Sequence, residues 1–192
     1  GVGKNLQDHP RVAFTWESTK PLGSTPAERE KAARDYGRDR TGPLTSTGIG
    51  AGAFVRTRPD EPVPDVQVIP TANPAANAWS LHVALMRPRS RGAILLRSRD
   101  PEAPPLIRAG YLSDERDLDV LVRGLAIARG LAGQAALAEY RGPETAPGTT
   151  VGDDLRPHVR KNATTFYHPV GTCRMGNDPH AVVDHELRVH GV

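Results

Sequence analysis

Apolar and polar side chains alternate over residues 11–16, with Val12, Phe14 and Trp16 in one phase, a period of two that predicts a half-buried strand. Residues 65–69 read as a second short strand. Residues 81–86 read as a third, with Leu81, Val83 and Leu85 on one face and His82 on the other. A turn over 87–92 then predicts that residues 93–98 fold back on the third strand as a hairpin. The period changes to 3.6 where helices are expected. Thr25-Pro26-Ala27-Glu28 is a capping box with proline at the first helical position, opening a helix that should end near Tyr36 and stop at Gly37. Its charged surface puts it on the outside. Leu118, Leu121, Val122, Leu125 and Ala128 form an apolar stripe that predicts the longest helix, capped by Ser113 and reaching Leu131. Residues 134–139 should continue or restart it. Residues 142–148 read as a break, 152–154 as the start of a shorter helix, and Val182-Val183 as a last short strand. Strands and helices thus come in blocks, which argues for an α+β fold with a mostly antiparallel sheet rather than a doubly wound parallel one.

Composition narrows the class. With 192 residues there is room for one domain with a real core. The 19 glycines and 18 prolines add turns without making the chain low-complexity. The net charge is only +3 because 22 acids are spread among 25 bases, and no basic block is interleaved with aromatics, which argues against nucleic-acid binding. No apolar run approaches the roughly 18 residues of a membrane span. A single cysteine excludes an internal disulfide and a cysteine-based zinc site, and a cytoplasmic setting is expected. The ends, Gly1 and Val192, read as the middle of something longer.

Candidate chemistry collects in Tyr167-His168-Pro169-Val170-Gly171-Thr172-Cys173-Arg174-Met175-Gly176. Pro169 biases His168 toward an extended backbone, and Gly171 and Gly176 permit sharp turns or close approach. Such a stretch suits the presentation of one imidazole at a fixed place, and a positioned histidine is the default candidate for a general acid or base. Cys173 invites a nucleophile reading, but a packed structural thiol is favoured. His180, Asp184 and His185 have no spacing typical of a metal site, and no metal is expected. Residues 48–53 match the dinucleotide pattern G-x-G-x-x-A. The pattern needs a strand before it and a helix after it, whereas here loop precedes and strand follows.

Residues 167–176 closely resemble the glucose–methanol–choline (GMC) family of flavin-dependent oxidoreductases. Other segments agree in the family's order. They are Gly1-Val2-Gly3-Lys4-Asn5-Leu6-Gln7-Asp8-His9-Pro10, the pieces Gly42-Pro43-Leu44 and Ala53-Phe54-Val55, the stretch from Ser90 to Pro101, Gly110-Tyr111-Leu112, and Val182-Val183-Asp184 onward. The resemblance implies a loop leaving an FAD-binding part at 1–10, a substrate-binding domain at 11–166, and a catalytic-histidine loop leading back toward that part at 167–192. It implies FAD in a longer parent protein and oxidation of a primary or secondary alcohol, choline-like or other, to a carbonyl. It makes His168 the general base and Tyr167 a substrate-pocket residue, with cofactor-binding residues unassigned and a small-molecule alcohol as partner. A homo-oligomer is compatible with it. For a trimethylammonium substrate Trp79 and Tyr167 would be the cage candidates, with no acid to assign. The nucleotide-binding fingerprint and a second catalytic His or Asn are expected outside these residues. The rival reading is a substrate-binding domain without flavin or catalysis.

Overall fold

Two antiparallel sheets and three helices make up the fold seen in the computed structural model, which describes residues 1–46, 48–148, 152 and 154–191. In chain order these are β1 (Lys4–Leu6), β2 (Pro10–Ser18), α1 (Pro26–Asp39), β3 (Ala53–Val55), β4 (Val66–Asn73), β5 (Ala78–Leu85), β6 (Gly92–Leu95), β7 (Leu106–Arg108), α2 (Glu115–Ala132), β8 (Arg141–Ala146), α3 (Arg156–Asn162) and β9 (Thr164–Thr165). The larger sheet runs β3-β4-β5-β2-β8, with β9 also paired to β2, and the smaller sheet runs β1-β6-β7. The α+β class with antiparallel pairing is as the blocks of strands and helices predict.

The core lies on one face of the larger sheet. Alternation along β2 buries Val12, Phe14 and Trp16, β4 adds Val66 and Val68, and β5 adds Trp79, Leu81, Val83 and Leu85. The α2 stripe of Leu118, Leu121, Leu125 and Ala128 packs on this face, and α3 contributes Val159. Gly124 is where α2 comes closest to the sheet: a Cβ there would stand 2.7 Å from a methyl of Val83 and 3.1 Å from one of Val66. The opposite face carries Arg11, Gln67, Thr71 and His82, none of them fully buried, and is open for a site.

Several expectations are corrected. The hairpin between residues 81–86 and 93–98 does not form. Both edges of β5 are already taken, by β2 and β4, so β6 pairs with β1 and β7 instead. The buried Asp117 carboxylate diverts the chain, accepting from the backbone N–H groups of Arg89 at 2.9 Å and Ser90 at 2.8 Å. The cap of α2 is Asp114 rather than Ser113, its side chain accepting from Arg116 N. The first helix passes through Gly37 to Asp39 and closes on Arg40 in the left-handed region (φ 54°). Gly37 meets nothing that would force a stop, and the Arg40 guanidinium lies 4.8 Å from the Tyr36 ring centre.

Residues 141–146 form an edge strand where a break was read. Arg129 of α2 holds it with a two-pronged pair to Glu144, at 2.8 and 3.1 Å. Residues 135–137 make only a short 3-10 turn. The third helix starts at Arg156, with Pro157 in its first turn as its chemistry requires. Of the earlier start read over 152–154, residue 153 lies outside the described residues. At Val182-Val183 there is no strand; Val183 makes isolated bridges to Met175 and Val189.

Candidate active site

The segment after β9 is bolted to the segment before β2. Phe166 N donates to His9 O (3.0 Å), Gln7 and Val170 exchange backbone hydrogen bonds (2.9 and 2.8 Å), and Gly3 N donates to Thr172 O (2.9 Å). Gly171, at φ 93°, allows the closest approach: a Cβ there would fall 2.4 Å from Asn5 O. Between these ties the chain must turn outward, and Tyr167 does so at φ 63°, a costly conformation for a bulky residue. Its backbone N–H is held by Thr165 Oγ1 at 2.8 Å.

Asp8 is the hub of this junction. It is buried, and it accepts from His168 N (2.9 Å), Thr165 Oγ1 (2.6 Å) and the Tyr111 hydroxyl. Burial alone raises its pKa, but the hydrogen bonds from Thr165, Tyr111 and the His168 backbone outweigh that and leave the carboxyl below its ordinary value. Tyr111 responds in the opposite sense, pushed up to about 12 by burial and by its bond to Asp8. The His168 backbone is therefore anchored while its ring stays exposed, with no hydrogen-bond partner for either ring nitrogen among the described residues. His9 and Phe166 frame that ring, with centroids 5.4 and 5.0 Å away. The His9 Nδ1–H donates to Leu85 O at 2.7 Å, since a carbonyl can only accept.

His168 borders two cavities of about 500 Å³ each. One is lined by Gln7, Asp8, His9, Met86, Arg87 and Val170, among others. The other opens on the free face of the larger sheet and is lined by Arg11, Ile49, Gln67, Ile69, Thr71, His82, Phe166 and Tyr167. In this second cavity His82 sits on β5 with Arg11 and Thr71 as its diagonal neighbours on β2 and β4. Arg11 Nη1 donates to His82 Nδ1, and His82 Nε2 bonds Thr71 Oγ1 at 3.0 Å. A guanidinium has no acceptor, so His82 is neutral with its proton on Nε2. Burial, and secondarily the charge of Arg11, lower its pKa to about 4.

Of the residues singled out in the sequence, Tyr167 and His168 come together on this cavity, and His82 joins them. Trp79 does not. It lies on the core face, stacked 4.6 Å from Trp16, with Nε1 donating to Tyr140 O, so it cannot form a cage with Tyr167. Cys173 is exposed rather than packed, because backbone bonds on either side, through Thr172 O and Arg174 O, fix the strip and leave the thiol outside. Asp184 is occupied by Arg188 (2.9 Å), and no group of three potential metal ligands occurs among the described residues. Residues 48–53 are loop running into β3, with no helix following, as their context predicts. Asp8, Thr165 and Arg11 were not singled out. Arg11 had a signal: it is a charge in the phase opposite to Val12 and Phe14, the phase that becomes the open face.

The family model described as GMC oxidoreductase matches residues 88–192. The chain is 39% identical over 207 residues to the oxygen-dependent choline dehydrogenase of Klebsiella pneumoniae (strain 342), matching all of this chain and 37% of that protein. The enzyme of the same name from Paraburkholderia xenovorans (strain LB400) is 40% identical over 209 residues, again across 100% of this chain and 37% of the relative. The chain thus spans well under half the length of these curated relatives. Among solved structures, pyridoxine 4-oxidase from Mesorbium loti superposes with a TM-score of 0.78 at 26% identity, covering 98% of this chain and 36% of that one. Formate oxidase from Aspergillus oryzae RIB40 gives 0.84 at 22% identity over 100% of this chain and 41% of that one, a likeness of fold. No helix among the described residues is long and apolar enough to cross a membrane. The chain belongs to the GMC oxidoreductase family.

Proposed function

We propose that this chain supplies the substrate wall and the general base of an FAD-dependent enzyme that oxidises an alcohol to a carbonyl. The observation that carries the reading is His168: its backbone is pinned by Asp8, while its ring is unpartnered at the junction of two cavities. In this reading residues 1–10 link to an FAD-binding part, residues 11–166 form the substrate-binding domain, and residues 167–192 carry the base and lead back. The names of the relatives support it, since two are called choline dehydrogenase and one structural neighbour is an oxidase of pyridoxine.

The residues present fit one side of a flavin. Tyr167, 75% exposed, and Val170, 60% exposed, flank His168 and would offer the group apolar surface. Residues 48–53 do not fit a pyrophosphate, having no helix N-terminus behind them. Bound there, FAD would supply the hydride acceptor. The chain's own task is then to seat the alcohol between Tyr167, Phe166 and His82 and to take its hydroxyl proton on the unprotonated ring nitrogen of His168. The Asp8 tether fixes the backbone that carries this ring, and His9 and Phe166 frame it, so part of the barrier is removed by orientation before the proton moves. Neutral His82, with its proton on Nε2 given to Thr71, does not compete as the base.

The test is flavin reduction by alcohol in the enzyme that contains this chain. His168→Gln should slow reduction by about 100-fold or more, in the range for loss of a general base, with flavin content unchanged. Reduction at the unaltered rate in this variant would remove His168 from the reaction.

A further inference from the structure

Among the described residues, the cavity shared by His168 and His82 is lined by one arginine, Arg11, and by no lysine, aspartate or glutamate. Among the described residues the partners of Arg11 are Thr165 O, accepting from Nε at 3.2 Å, and His82 Nδ1, accepting from Nη1. Neither partner neutralises it, and Nη2 is left without one. Asp8 lines the neighbouring cavity instead and already receives hydrogen bonds on both oxygens. Arg11 is also held in place. Its two bonds come from different strands, and His82 is itself fixed by Thr71. A guanidinium held by two neutral acceptors, with donors still open toward a cavity, is arranged to receive a planar anion.

We propose, building on the alcohol-oxidation reading, that the substrate is an alcohol bearing a carboxylate, and that Arg11 binds this group while His168 faces the hydroxyl end. Among the described residues a trimethylammonium head would meet a guanidinium and no lining carboxylate, and Trp79, on the core face, cannot join Phe166 and Tyr167 to complete an aromatic cage. A phosphate dianion would bring twice the charge to a single guanidinium. A carboxylate matches in both charge and shape.

The experiment titrates the full 192-residue chain with 3-hydroxypropionate, with propane-1,3-diol and with choline, following backbone and arginine side-chain NMR signals. The hydroxy acid should shift Arg11, Thr71 and His82 and bind at least tenfold more tightly than the diol or choline. Arg11→Gln should weaken the acid at least tenfold and leave the diol unchanged, and Arg11→Lys should recover part of the loss. The proposal is overturned if choline or the diol binds as well as the acid, if the acid does not bind, or if a folded Arg11→Gln chain binds it normally. Should Arg11→Gln not fold, the ligand order on the unaltered chain decides. Binding is read without turnover, so a flavoenzyme that loses nothing with His168→Gln would refute the oxidation reading and leave this result standing.

Discussion

Asp8 has no proton to transfer in this scheme, yet the position of the His168 backbone depends on it. Its two oxygens meet three donors, whereas an amide has one carbonyl oxygen and would turn its NH₂ toward the others. Asp8→Asn should cost about 2–3 kcal/mol, as expected when a buried charged acceptor is lost, measured by urea denaturation of the chain. Thr165→Val, which removes one donor and keeps the carboxylate, should cost less. His82 predicts a pH dependence of known sign. Its folded pKa of about 4 lies below the ordinary 6.5, so between those values the unfolded chain binds more protons. Stability should therefore fall as pH drops from about 6.5 to about 4. After allowance for the solvent that reaches the ring, the loss is about 1–2 kcal/mol. His82→Gln should flatten that part of the stability profile. The lowered pKa of Asp8 acts in the same direction at lower pH, its contribution being present above the ordinary carboxylate range and lost as pH falls through its depressed value.

Helix α2 covers the core face of the larger sheet, and its two glycines separate packing from propensity. Gly124 faces Val83 and Val66 closely, whereas a Cβ on Gly130 would meet nothing within 4 Å. Both positions gain about 1 kcal/mol of helix propensity on going to alanine. At Gly124 the added methyl must push branched side chains that cannot swing away, which costs about 1–3 kcal/mol. Gly130→Ala should therefore stabilise by up to about 1 kcal/mol and Gly124→Ala should be net destabilising, both by thermal denaturation. Stabilisation by both would mean that the helix is free to shift outward. The same helix explains the failed hairpin: Asp117 in its first turn captures the backbone at Arg89 and Ser90 and sends β6 to another sheet.

Across the whole molecule one sheet face is covered by α2 and α3 and the other is left to the cavity, Arg11, His82 and the loop at His168. The described residues offer a flavin a flank rather than an enclosing site. The chain by itself is expected to take up no stoichiometric FAD in equilibrium dialysis, and flavin absorbance near 450 nm retained on the protein would contradict this. The sequence alone determined what local physics controls. The alternation of Val12, Phe14 and Trp16, the Leu118-to-Ala128 stripe and the Thr25 capping box each needs only near neighbours, and each is present. The family was legible because the Tyr167-to-Gly176 segment is a specific string. Only tertiary structure decided which strands pair, because a strand such as β5 has two edges and the pattern does not say what fills them. It alone revealed that Asp8 anchors a histidine 160 residues away and that Arg11 stands beside His82 with no carboxylate partner among the described residues. Charge compensation depends on distances in space, and those follow from pairing rather than from spacing along the chain.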